Sequence, residues 1–541
     1  MDRFNYQDAG LINFDRDTFP HNIGSVGIFE GLIPFGKYLA HVERRLDLVP
    51  RYRQRMVRVP LDLANPIWHE DPDFDIRRHV RSVTLPPPGD DAQLARLAGE
   101  FFAVPLDRDR PLWGILLVQG LSGGRTAQLV KAHHCLVDGV GGVQLLVALL
   151  DVTPSPPPLR RRRKPDPEPL PDRATLFANA IFEQALHQVD TAESLARTLL
   201  QPGSLIHWAR SVAGALVAAG PYVLQRAPDT PWNTRLTSPR RLAWQDIPLQ
   251  EARVICSVLG GKVNDLVLTV LAGALRRYFE LHGWDTDDVT LRVVVPVNAR
   301  SDREARALGN HISLMLGGLP LGVADPRKRF QRISREMKSL KAQAGGFENL
   351  LRVVGRMPAP LQAALGGRLT APNVLTNLLC TNVRGPEVPL YCLGHQMVAH
   401  YPWVLVTWRM GLSVAVMSYM GRLYFSFTGD ASVLADLDRI ADFLREDFWQ
   451  LHDAVVKPRR RRPAPRAADR APATASSPRR RRAAASPTSR ARSARAGVQP
   501  TPPATVRAAR RNGRRPEPRV VTAAAGVGEP VVTGQGGRQA S

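Results

Sequence analysis

Seven residues in the first third of the chain, His133-His134-Cys135-Leu136-Val137-Asp138-Gly139, constrain its fold more than any other stretch. They read as HHxxxDG and sit where a strand-like run stops. The segment before them, RTAQLVKA (125–132), has strand composition with part-alternating polarity. The one after, VGGVQLLVALLD (140–151), carries its apolar residues at helical spacing after a glycine-rich start. A strand, a turn and a helix are therefore expected to meet at the motif. Side chains alternate along a strand, so two histidines at its end face opposite ways. Only one imidazole can enter a given cavity, and the other turns back into the protein. A neutral imidazole that titrates near physiological pH is the commonest general base. Asp138 is placed to return over the turn as an orienting or structural carboxylate, and Gly139 allows the backbone angle such a turn needs.

The 541 residues exceed one ordinary domain, and 44% apolar residues supply material for a sizeable core. The first residues, MDRFNYQDAGLINF, lack the apolar centre of a secretory signal. The most apolar segment, SVAGALVAAGPYVLQ (211–225), is too short to span a bilayer and contains Gly220-Pro221. Four cysteines, Cys135, Cys256, Cys380 and Cys392, are scattered without metal-ligand or disulfide spacing. These features predict a cytoplasmic protein with no metal site. The net charge of +24 is unevenly divided: residues 457–541 hold 21 Lys and Arg against 3 Asp and Glu, and the other 456 residues hold 52 against 46. The strong basicity belongs to the tail.

Composition divides the chain into a motif-bearing half (1–152), a Pro/Arg-rich linker (153–173) with the basic run Arg160–Lys164, a helical bridging segment (174–240), a second half (241–456) and a tail (457–541). The stretch LDRIADFLREDFWQLHDAV (437–455) predicts a closing amphipathic helix. The tail is rich in Pro, Ala and Arg and reads as disordered. Gly120-Leu121-Ser122-Gly123-Gly124 fits G-x-S-x-G, but a hydrolase elbow needs strand, sharp turn and helix. Here WGILLVQG precedes and RTAQLVKA follows, which predicts a hairpin.

The motif and its surroundings resemble the bacterial wax ester synthase/acyl-CoA:diacylglycerol acyltransferase family, within the larger group of CoA-dependent acyltransferases that share HHxxxDG. The resemblance covers roughly 1–456. Upstream it rests on GSVGIFEG (24–31), HVERRLDLVPRYRQRMVRVP (41–60), DPDFDIRRHV (71–80) and PLDRDRPLW (105–113). Downstream it rests on GGKVNDLVLTVLAGALRRY (260–278), VVVPVNAR (293–300), TNVRGP (381–386) and GLSVAVMSYMGRLYFSF (411–427). It implies an α/β (α+β) chloramphenicol acetyltransferase-like sandwich of two halves, with the active site in a tunnel between them. It further implies acyl-CoA as one substrate and diacylglycerol or a fatty alcohol as the other, with no cofactor; the alternatives are a same-fold acyltransferase for a non-glyceride alcohol such as a polyketide or peptide, and a non-catalytic protein that binds lipid or nucleic acid through its basic tail. By the same resemblance His134 is the base, His133 is structural, and Asp138 holds the loop, with Arg300 as its candidate partner. Asn264 is a candidate hydrogen-bond donor near the reacting carbonyl and Asp265 a weaker candidate, since Asn-Asp at a helix start is ordinary capping. Pro111-Leu112-Trp113 matches the family's PLW element, and Trp113 is expected to be a packing anchor.

The base would take the proton of an acceptor hydroxyl, whose oxygen attacks the thioester and expels CoA thiolate. A thiol with a pKa of about 8.5 is a good leaving group, so no covalent acyl-enzyme is needed. The polybasic tail suits contact with an anionic membrane or lipid-droplet surface, and its composition fits an unselected solvated extension equally well. It lacks the interleaved aromatics and fold motif of a nucleic-acid module, so nucleic acid is a less favoured partner. Neither motif nor composition sets an oligomeric state.

Overall fold

The structure is a computed structural model that describes residues 2–136, 148–157, 169–182, 226–237, 239–298, 312–343, 376–407 and 409–456. Its strands form two six-stranded sheets and one small one. The first large sheet has the order β12 (Tyr391–Cys392), β13 (His395–Trp403), β2 (Asn22–Phe29), β7 (Arg125–His133), β6 (Trp113–Leu121), β5 (Val80–Thr84). The second runs β10 (Ile312–Pro320), β9 (Thr290–Asn298), β11 (Leu378–Arg384), β14 (Leu412–Tyr419), β15 (Arg422–Asp430), β8 (Arg240–Pro248). The small sheet is β1 (Asp2–Arg3), β4 (Ile67–Glu70) and β3 (Gln54–Val57).

In the first half the helices are α1 (Tyr6–Phe14), α2 (Phe35–Arg45), α3 (Ile76–His79) and α4 (Asp91–Ala103). β7 lies centrally, buried from Thr126 to His133, and pairs antiparallel with both β2 and β6. The β6–β7 connection is the tight turn Ser122–Gly124, where Gly123 adopts φ 75°. The G-x-S-x-G match is thus a hairpin and not a nucleophile elbow. α4 starts in a capping box: Asp90 accepts from the Gln93 N–H at 2.8 Å, and Gln93 accepts from the Asp90 N–H at 3.1 Å.

In the second half lie α5 (Leu249–Leu259), α6 (Val263–Leu281), α7 (Pro326–Gln343) and α8 (Leu437–Val456). α6 has apolar residues on all sides and is buried continuously from Asp265 to Leu275, as expected of a helix enclosed by a sheet and other helices. Within this core the Arg329 guanidinium meets both Asp447 oxygens at 2.7 and 2.8 Å, and also donates to Thr269 O at 3.2 Å. A Cβ on Gly273 would sit 2.2 Å from that carboxylate, so only glycine lets α8 approach α6 here.

One strand pair crosses the linear division of the chain. β12 and β13 belong by sequence to the second half, yet β13 pairs antiparallel with β2 and completes the first sheet. Asp151 and Tyr391 exchange both backbone hydrogen bonds, at 2.8 and 2.7 Å, tying the end of the motif region to β12. The halves are therefore interlocked, so a boundary at 241 does not separate two independent sheets. Of the expected bridging helix, 174–182 are helical. Residues 226–237, at the end of the expected bridging segment, form turns and irregular chain instead of helix, and β8 already begins at Arg240; residues 183–225, most of the Pro/Arg-rich linker and the whole tail lie outside the described residues.

Candidate active site

β7 delivers the paired histidines to the end of the first sheet. His133 pairs with Asn22, its N–H donates to Leu112 O at 2.9 Å, and the His134 N–H donates to His21 O at 2.8 Å. The chain then turns, with the Leu136 N–H donating back to His133 O at 2.9 Å. This places Pro111-Leu112-Trp113 directly beside the motif.

His133 is 2% exposed, and its two nitrogens have different surroundings. Nδ1 accepts the Cys135 N–H at 3.2 Å and lies 3.0 Å from Cys135 Sγ. Because Nδ1 is the acceptor, the proton of the neutral ring belongs on Nε2. Nε2 faces Asp15 Oδ2 at 3.5 Å, a separation long for a hydrogen bond but short for a charge–dipole attraction. Burial pushes the His133 pKa down more than Asp15 pulls it up, which keeps the ring neutral. Burial alone would raise the Asp15 pKa. Its approach to His133 and His21 and the His21 N–H at 2.6 Å overcome that and hold the carboxyl well below the usual carboxylate range. Arg108 adds a contact at 3.1 Å.

Cys135, His133 and Asp15 thus have the connectivity of a nucleophilic triad. The thiol is nevertheless buried among Phe4, Met56, Trp68 and Leu112, and that burial pushes its pKa well above the ordinary value. The trio positions the turn; it does not furnish a thiolate. His134 follows the locked histidine and is only half-buried.

Trp113 is a packing anchor. Its Nε1 donates to Tyr52 O at 2.7 Å, and its ring stacks on His79 at 4.6 Å. Leu112 and Pro111 are buried beside it. Asn264 and Asp265 form a second group at the start of α6. Asp265 Oδ2 accepts from the Lys262 N–H at 2.9 Å and from Ser334 Oγ at 3.1 Å, so Asp265 is a helix cap rather than support for the reaction. Asn264 Oδ1 accepts from Asn382 Nδ2 at 3.4 Å, which brings the TNVRGP strand to the helix start. Asp138, Gly139 and Arg300 lie outside the described residues.

α2 secures the chain beyond the motif. Arg45 pairs with Asp151 in the interior and donates to Ala148 O at 2.8 Å, while His41 Nε2 bonds Leu149 O at 2.9 Å. Among the described residues no group of His, Cys, Asp or Glu is arranged to hold a metal ion. No single helix among them is long and apolar enough to cross a membrane.

Comparison with known proteins decides the family. The wax ester synthase/diacylglycerol acyltransferase catalytic domain matches residues 4–267, and the C-terminal domain of the same family matches residues 308–452. A Mycobacterium tuberculosis protein named "Probable diacyglycerol O-acyltransferase" is 31% identical over 451 residues, covering 82% of this chain and 94% of that protein. The chain belongs to the wax ester synthase/diacylglycerol acyltransferase family. The solved wax ester synthase/diacylglycerol acyltransferase from Marinobacter aquaeolei VT8 has the same fold, with a TM-score of 0.60, 24% identity, and coverage of 84% of this chain and 99% of that one. The first condensation domain of the calcium-dependent antibiotic synthetase shares the fold more distantly, with a TM-score of 0.53 and 15% identity over 84% of this chain and 98% of that one.

For this acyltransferase, sequence reasoning missed Asp15, His21, Arg108 and Asn382. Asp15 lies more than a hundred residues before the motif, and no local pattern marks it. Only the pairing of β2 with β7 carries the loop before β2 to His133.

Proposed function

We propose that the protein moves a long-chain acyl group from acyl-CoA to the free hydroxyl of diacylglycerol, and to fatty alcohols where these are offered. His134 is the general base. Its neutral imidazole takes the hydroxyl proton as the oxygen attacks the thioester carbonyl; the tetrahedral oxyanion collapses, the C–S bond breaks, and the proton passes to the departing CoA sulfur. General-base assistance of this kind contributes roughly 10²–10⁴-fold. The observation that carries the reading is the asymmetry of the pair: His133 is buried, neutral and fixed by Asp15 and the Cys135 N–H, and His134 follows it on the same turn. A fixed neighbour holds a base within the narrow geometry that proton transfer demands.

The chemistry calls for no resident cofactor, because the thiolate leaves readily and the acyl group arrives activated. The half-buried Asn264, hydrogen-bonded to Asn382, is the candidate donor to the oxyanion. The acceptor is membrane-resident, so we place the working enzyme in the cytoplasm at an anionic membrane or lipid-inclusion surface, held there by the basic tail. The test is transfer from labelled palmitoyl-CoA to diacylglycerol or hexadecanol by the full chain, with lipid products resolved chromatographically. Labelled triacylglycerol is expected; no labelled ester from either acceptor would contradict the reading.

A further inference from the structure

α7 turns two different faces on its surroundings. Arg329, Phe330, Ile333, Ser334 and Met337 are buried against the rest of the second half. Ser334 Oγ donates to Asp265 Oδ2 at 3.1 Å, and a Cβ on Gly261 would sit 2.4 Å from the Phe330 ring. The helix therefore backs the turn that delivers Asn264. Its other face carries Lys328, Gln331, Arg332, Arg335, Lys338 and Ser339, all exposed. At helical spacing the four cations fall within about 120° of arc and run for about 15 Å along the axis. No carboxylate shares that face. The one acid of α7, Glu336, is half-buried and accepts the Gly318 N–H at 2.7 Å. Among the described residues none of the four cations makes an ion pair, and Arg335 Nε donates within its own helix, to Gln331 O at 3.3 Å.

A merely solvated helix face looks different in this molecule. The exposed side of α8 mixes signs, with Asp438, Arg439, Arg445 and Glu446, and two of its acids are paired: Asp438 with Arg241 at 2.9 Å and Glu446 with Arg277 at 2.5 Å. Residues 1–456 hold 52 Lys and Arg against 46 Asp and Glu, so four cations without an acid are a local concentration. Like charges three and four residues apart repel one another, and an anionic partner relieves that repulsion. The face has no aromatic ring on which a base could stack. It also has no large apolar side chain to insert among acyl chains, so contact would be made through headgroups. We infer that the outer face of α7 is an electrostatic docking face for an anionic lipid surface, so that the folded body, and not the tail alone, holds the enzyme at the membrane. This inference rests on the proposed use of a membrane-resident acceptor and names the surface that meets the membrane.

The test is flotation of the full chain with vesicles of phosphatidylcholine, alone or mixed with phosphatidylglycerol. Wild type should bind the mixed vesicles and leave them as salt screens the charges. Lys328→Gln, Arg332→Gln, Arg335→Gln and Lys338→Gln combined should weaken that binding by about 10–100-fold, since each basic residue near an anionic surface adds to affinity. The same loss of charge among exposed cations of the first half, Arg77→Gln, Arg78→Gln, Arg81→Gln and Arg96→Gln combined, should change it by less than about threefold. Thermal midpoints should match wild type, because the substituted side chains are exposed. A charge-keeping set, Lys328→Arg, Arg332→Lys, Arg335→Lys and Lys338→Arg, should bind as wild type does. No preference of wild type for the mixed vesicles, unchanged binding by the α7 glutamine variant, equal losses in the two glutamine variants, or failure of the charge-keeping set would overturn the inference. So would a loss confined to duplex DNA offered in place of vesicles. Transfer of labelled palmitate is read separately. Docking that depends on α7, without labelled ester from wild type, would keep the face and refute the acyl-transfer reading; labelled ester without such docking would refute the face alone.

Discussion

The two halves of this enzyme bury polar groups in opposite ways. The second half encloses Arg329 and Asp447 as a closed bidentate pair behind Gly273, inside an otherwise apolar core. The first half has a buried ion pair of its own, Arg45 with Asp151, but the motif end of its sheet and its seam bury groups whose needs are met incompletely or only at long range. Asn22, His400, Trp403 and Thr428 have buried atoms without partners, and Asp15 collects His21, Arg108 and His133 at one carboxylate. A closed pair fixes helices against one another and reacts with nothing. An open set has capacity left for a substrate. The contrast assigns stability to the α6–α8 layer and chemistry to the β2–β7 end of the first sheet.

The largest effect belongs to the closed pair. Arg329→Leu leaves Asp447 buried and uncompensated, and should lower unfolding free energy by about 3–5 kcal/mol. Arg329→Met combined with Asp447→Leu should recover most of that loss, since an apolar pair of similar size can replace a buried ion pair. Denaturant titration of the three proteins checks both expectations, and equal stability of the single and double variants would count against the closed-pair account.

On the open side, pH separates wild type from a variant. Burial lowers the pKa of His400 to about 4, against about 6.5 for an unfolded chain. The unfolded state therefore takes up this proton first as pH falls. The contribution of His400 is constant above about 6.5 and is lost progressively down to about 4, by on the order of 3 kcal/mol. Denaturation midpoints measured at pH 7 and pH 4.5 should fall more steeply for wild type than for His400→Leu. Identical slopes would mean that the imidazole is not held neutral.

Asp15→Ala removes the acceptor for the His21 N–H and for Arg108 and leaves His133 Nε2 facing nothing. A loss of about 2–3 kcal/mol is expected, from bonds made to a charged group, together with reduced transfer as the turn loosens. The smallest effect belongs to Cys135→Ala. The thiol is buried and protonated, so transfer should stay within about twofold of wild type; a loss beyond about a hundredfold would mean that sulfur carries the acyl group.

Much of the architecture was legible in the sequence because it is locally encoded. The strand RTAQLVKA, the glycine turn at Ser122–Gly124 and the amphipathic run 437–455 each follow from composition and period, and each forms the expected element. Asp265 illustrates a site expectation that physics redirects, since its burial and its bond to the Lys262 N–H make it a cap. What the sequence could not display are contacts made by pairing at long range. β13 completes the first sheet from far along the chain, and Asp15 reaches His133 only through the pairing of β2 with β7. No period or spacing carries such information.

The most direct test of the account is single-turnover transfer from labelled palmitoyl-CoA to diacylglycerol by wild type and His134→Ala, with matched thermal midpoints. The variant should lose about 10²–10⁴-fold in the chemical step, with no labelled protein accumulating in either. Retained transfer by folded His134→Ala, or a labelled acyl-enzyme in wild type, would contradict it.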